Sequence, residues 1–176
     1  MEALELNKLE CARRQLEAGI NLFFQDGDPV SIHTLTCAAY NVVRDVNDAR
    51  NGNPMFAKQR YVQMGGKPSL GDLNEPENFF KHADRDTNAK LTFYPKFTEC
   101  LLVDACEKFG ELTGDRVLEF LAFTLWFMSQ SPEKFDIPQG WESFVDDAEE
   151  LHAKGDRKGF YDRFMTHLSD LYDEAT

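Results

Sequence analysis

The sequence predicts an all-α fold: a single-domain helical bundle of six to seven helices with one irregular loop region over residues 52–73. Three observations predict it. Apolar residues recur at steps of three and four along most of the chain, the period of a helix with one buried face. Glycine and proline gather between those runs, where they punctuate elements. No pair of alternating segments reads as a hairpin.

The first element runs from about Glu5 to Phe24 and carries Leu9, Ala12, Leu16, Ile20 and Phe23 on one side. Gln25-Asp26-Gly27 ends it. Asp28 then supplies a capping carboxylate and Pro29 fills the first helical position, where a missing N–H costs nothing. The second helix runs from Pro29 to about Arg50, with Ile32, Leu35, Ala39, Val42 and Val46 as its core face. The short break between the two predicts an antiparallel helical hairpin.

Asn51 to Pro54 closes that hairpin, and the glycines and prolines of 52–73 deny the next stretch a long helix. One helical turn near Phe56 to Tyr61 is expected within it. Asn74-Glu75-Pro76-Glu77 has the pattern of a capping box, opening a short helix through His82. Asp84 to Asn88 reads as a polar turn, and Leu91-Thr92-Phe93 as locally extended before Pro95.

Leu101, Leu102, Ala105, Cys106 and Phe109 then mark a helix over about Lys96 to Phe109. Asp115 is expected to cap the next, Arg116 to Ser129, which is apolar nearly all round and so belongs at the centre of the bundle. Trp141, Phe144, Val145, Ala148 and Leu151 define another amphipathic helix that stops at Gly155. Phe160, Phe164, Leu168 and Leu171 define the last, over Asp156 to Asp173.

Charge narrows the function classes. Nineteen Lys and Arg against 31 Asp and Glu leave a net charge of −12, which repels nucleic acid and anionic membrane at long range. RNA is disfavoured as a partner on this ground, DNA is not expected, and a protein partner or a homodimer is. The most apolar stretch, Phe120 to Met128, is far shorter than the ~20 residues that span a bilayer. Cys11, Cys37, Cys100 and Cys106 lack zinc-type spacing, and the opening residues lack the apolar core of a secretory leader. A reducing, cytoplasmic setting is the expectation.

The chemistry-bearing residues concentrate in Glu75-Pro76-Glu77-Asn78-Phe79-Phe80-Lys81-His82-Ala83-Asp84-Arg85-Asp86. Asn78 and His82 are one helical turn apart and so are expected on one side of the short helix. An imidazole beside an amide can serve as general acid or base, or it can simply buttress a helix end.

An Asn separated by three residues from a His, within a helical bundle, resembles the HEPN superfamily of helical nucleases and nucleotide-binding proteins. That family's signature is an Arg, a short spacer and a His, often with Asn directly after the Arg. Asn78 and His82 match the last two features, while Glu77 stands where the Arg would be. The resemblance therefore implies a module with weak or absent RNase activity, because the guanidinium would be the group that stabilises phosphate charge. Arg85 could substitute for it from the far side of His82.

Two further constellations compete. His82, Asp84 and Asp86 could hold a divalent cation through hard ligands. As an EF-hand loop the segment fails, with Ala89 in the glycine position and Pro95 in the place of the terminal Glu. Otherwise it is a solvated turn, and no other cofactor is expected. On the second helix, His33, Cys37, Tyr40 and Arg44 form a stripe apart from the predicted core face. His33 and Arg44 are the candidate partners of His82 in a site. The alternative packs Tyr40 and Cys37 against another helix or a second subunit. No nucleophile elbow is present, and Gly65-Gly66-Lys67-Pro68-Ser69 has the wrong spacing for a phosphate loop.

Overall fold

The computed structural model describes residues 3–57, 74–83, 87–137 and 139–174. Within them lie seven α-helices and no strand. These are α1 (Lys8–Phe24), α2 (Pro29–Ala49), α3 (Glu75–Lys81), α4 (Lys96–Thr113), α5 (Leu118–Met128), α6 (Glu142–Ala153) and α7 (Arg157–Glu174). A single 3-10 turn, Pro132–Lys134, separates α5 from α6. The all-α bundle is as expected. Residues 58–61 of the helical turn expected near Phe56 to Tyr61 and residues 84–86 of the turn expected over Asp84 to Asn88 lie outside the described residues, as does the side chain of Leu171, while Thr87 and Asn88 do form a turn.

Local chemistry explains most of the helix ends. Asn7 accepts from the Glu10 amide while the Glu10 carboxylate accepts from the Asn7 amide, a reciprocal capping box that starts α1 three residues later than expected. Asp28 caps α2 by accepting from the Ser31 amide at 2.7 Å, with Pro29 inside the first turn. Asp156 Oδ1 accepts from the Gly159 amide at the start of α7. Gly114, at φ 77°, takes the left-handed conformation that closes α4 and that glycine adopts without steric cost.

Two expected caps do not form. Asn74 has helical backbone angles, not the extended ones of a capping residue, and makes no capping bond, and the Glu77 carboxylate that would complete the box is turned towards α2. Asp115 does not cap α5, which begins after Val117 without a side-chain cap. The Asp115 carboxylate is 3.9 Å from Arg13 of α1.

Helices α1 and α2 run back along each other, with Gly19 of α1 buried between them. A β-carbon there would make ordinary contact with Leu35 and Thr36 at 3.8 Å. Helix α5 packs against α1, α4, α6 and α7, the central position that its all-round apolar surface predicts. Phe23, Phe24, Phe123, Trp126 and Phe160 form an edge-to-face and stacked aromatic core where α1, α5 and α7 meet.

Helix α4 is as deeply buried as α5. Every residue from Phe97 to Cys106 is buried, and so are Lys108 and Phe109. It lies against α1, α2 and α5. The inner face of α2 is also broader than its hydropathy indicates. Ile32 and Ala39 are buried, but so are His33, Thr36, Cys37, Val43 and Asn47, whereas Leu35, Val42 and Val46 are only half-buried. The polar members satisfy themselves. Thr36 Oγ1 donates to the Ile32 carbonyl at 2.7 Å, and Asn47 Nδ2 donates to the Asn53 carbonyl at 2.9 Å.

Candidate functional site

Helix α3 is short and depends on its neighbours for stability, since seven residues are too few to hold a helix in water. Two contacts seat it on α2. Asn41 Nδ2 donates to Glu77 Oε1 at 2.8 Å, and Lys81 Nζ donates to the same oxygen at 2.5 Å. The Phe80 ring meets His33 edge-on at 5.7 Å between centroids and Phe93 at 5.2 Å. With Glu77 and Phe80 turned inward, Asn78 and Phe79 face solvent.

His82 is exposed as well, but it is not on the helical face. The helix stops at Lys81, and His82 caps it with an extended backbone (φ −135°, ψ 133°), its amide donating to the Asn78 carbonyl at 3.0 Å. The one-turn relationship expected between the two side chains therefore gives way to a break in the chain at the histidine. Among the described residues the His82 imidazole has no hydrogen-bond, ionic or ring partner.

His33 is in the opposite situation. Its side chain is fully buried, with Nδ1 2.8 Å from Thr98 Oγ1 and Nε2 3.3 Å from Cys37 Sγ. Phe80 and Phe93 cover the ring. Burial lowers its pKa to about 4; the Glu77 carboxylate opposes that shift and the Lys81 ammonium adds to it. Burial also pushes the Cys37 thiol up to about 12. Both groups are therefore neutral near pH 7, so this pair is not the thiolate–imidazolium of a nucleophilic site.

The stripe on α2 is thus the inward side of the helix at His33 and Cys37, not a second face apart from the core. Tyr40 donates its hydroxyl to Asp104 Oδ2 of α4 at 3.2 Å, and burial is the main cause that raises its pKa. Arg44 lies on the surface, with Nε and Nη2 3.2 and 3.0 Å from Asp45 Oδ1. The structure brings His33 together with α3, but through Phe80 and not through His82, and Arg44 is turned to its own neighbour.

Arg85, Asp84 and Asp86 lie outside the described residues. Among the described residues no group of three or more His, Cys, Asp or Glu side chains is placed to hold a metal ion. No described helix is long and apolar enough to cross a membrane.

Sequence reasoning missed Asp104, Thr98 and Asn41. Asp104 is buried, and its Oδ2 also accepts from the Ala57 amide at 2.8 Å, fixing the chain after α2 to the middle of α4. A lone carboxylate in Leu101-Leu102-Val103-Asp104-Ala105 was the available signal, because a buried acid must find donors. A cavity of about 480 Å³ opens between α4, α5 and the approach to α6, lined by Cys106, Arg116, Leu118, Phe120, Leu121 and Trp141 among others. None of the candidate site residues lines it.

Comparison with known proteins finds no matching family model, no matching curated protein and no matching solved structure.

Proposed function

We propose that this protein is a HEPN-like helical bundle without nuclease activity, which works by binding a protein surface through the outward side of α3. The observation that carries this reading is the seating of α3. Glu77, in the position of the motif Arg, reaches inward to Asn41 and also pairs with Lys81 of its own helix, while Asn78, Phe79 and His82 are left exposed. A carboxylate directed into the fold cannot stabilise phosphate charge. His33, the histidine that could have completed an acid–base pair, is covered and neutral.

Exposed apolar residues at the same end favour a protein over RNA as the partner. Phe79 is 37% exposed and Tyr94 68%, each adjacent in sequence to one of the rings that cover His33. Val30, one turn before His33 on α2, is 40% exposed. Aromatic side chains of this kind are favoured anchors in protein interfaces. The net charge of −12 opposes a polyanion.

Two measurements test the reading. Single-stranded RNA incubated with wild type and with His82→Ala should be left intact by both, and cleavage by wild type that His82→Ala abolishes would overturn it. Self-association through this side is the form of the reading that is tested. Sedimentation velocity should give a dimer for wild type and a monomer for Phe79→Glu/Tyr94→Glu with an unchanged helical spectrum. A wild type that stays monomeric at high micromolar concentration refutes self-association.

A further inference from the structure

We propose that α3 is an acid-released clasp: it stays docked while the His33 imidazole beneath it is neutral, and it undocks, carrying Asn78 and His82 away from α2, when that imidazole takes up a proton. The inference is independent of what α3 binds, so failure of the self-association test would leave it standing.

The geometry places a titratable ring where a charge has no compensation. From α3 the ring meets Phe80, and from the segment before α4 it meets Phe93. From α4 it meets the Thr98 hydroxyl, and on its own helix the Cys37 thiol, both uncharged. Among the described residues the charged groups that reach it are Glu77 and Lys81 of α3, which are paired with each other 2.5 Å apart and pull in opposite directions. Among the described residues an imidazolium here would sit among two aromatic rings, a hydroxyl and a thiol, with no carboxylate of its own. Phe80 travels with α3, and its removal is what would bring water to the ring.

Linkage then fixes the direction. While α3 is docked, His33 titrates at about 4. Once uncovered it titrates near the ordinary value of about 6.5. The undocked state therefore binds the proton more tightly at every pH between those values, and acid favours undocking. Between pH 7.5 and pH 5.5 the fraction of molecules with α3 undocked should rise about tenfold, most of it below pH 6.5. The candidate binding residues Asn78, Phe79 and His82 travel with the clasp, so mild acid would dismantle that surface while α1, α2, α4 and α5 remain packed.

Hydrogen exchange at the amides of Phe79, Phe80 and Lys81, corrected for the intrinsic pH dependence of exchange, reads the opening directly. Wild type should lose about tenfold in protection between pH 7.5 and 5.5. His33→Gln, which cannot take up the proton, should show the same protection at both. A change smaller than twofold in wild type overturns the proposal, as does an equal loss in His33→Gln. If that variant does not fold, an NMR titration of the wild-type His33 ring decides: a midpoint below 5 in the docked protein is expected, and one at or above 6 ends the idea.

Discussion

The Tyr40 hydroxyl and the Ala57 amide converge on a single buried oxygen of Asp104, at 3.2 and 2.8 Å, so one carboxylate ties α2, α4 and the chain that follows α2. An ionised acceptor makes each of these bonds stronger than a neutral pair would. Tyr40→Phe keeps the ring and removes one donor, and it should cost about 1–3 kcal/mol in urea unfolding. Asp104→Ala strips the acceptor from a buried amide as well and should cost more. A Tyr40→Phe variant as stable as wild type would mean that the hydroxyl is not buried with its partner.

Stability should depend on pH through His33. Its folded pKa, about 4, lies below the unfolded value of about 6.5, so the unfolded chain binds more protons between the two. Stability is therefore full above about pH 6.5 and falls as pH drops towards 4, by about 3 kcal/mol in all, then levels off in this contribution. His152, lowered by its own burial and by Lys96, acts in the same direction. Denaturant midpoints across this range should fall with acid in wild type, and the slope should be shallower in His33→Gln.

The two asparagine caps separate a pattern from a bond. Asn7→Ala removes a formed capping box and should cost about 1 kcal/mol. Asn74→Ala removes a side chain that makes no capping bond and should leave thermal stability almost unchanged. Equal losses in the two variants would contradict the geometry at Asn74.

Core and surface apolar residues should differ just as sharply. Phe123 is fully buried, with its ring 5.0 Å from that of Phe23, and Phe123→Ala should cost about 3–5 kcal/mol. Leu118 begins α5 and is 44% exposed, so Leu118→Ala should shift stability by no more than about 0.5 kcal/mol. Chemical unfolding of the two variants checks both values.

Thiol labelling of the native protein should modify Cys11 ahead of the other three. Cys11 is half-buried, whereas Cys37, Cys100 and Cys106 are buried, and burial holds the Cys37 and Cys106 thiols in their unreactive protonated form. Mass spectrometry of briefly alkylated protein reads the order. Early modification of Cys106 would show that α4 opens more readily than its packing indicates.

The sequence by itself determined the helices and most of their ends. Leu9 to Phe23 spells out the inner stripe of α1, Asp28-Pro29 starts α2, and Gly155 stands after the helix it closes, because these are local properties of spacing and backbone freedom. Only the tertiary structure decided which side of α2 faces inward at His33 and Cys37, that Glu77 turns to Asn41 instead of capping α3, and that His82 leaves the helical face. Hydropathy records what a side chain loses in leaving water, whereas a buried polar group is tolerated when a partner from elsewhere in the chain restores its hydrogen bond. Thr98 lies 65 residues beyond His33, and Glu77 lies 36 beyond Asn41. No periodicity within one helix can report a partner at that distance.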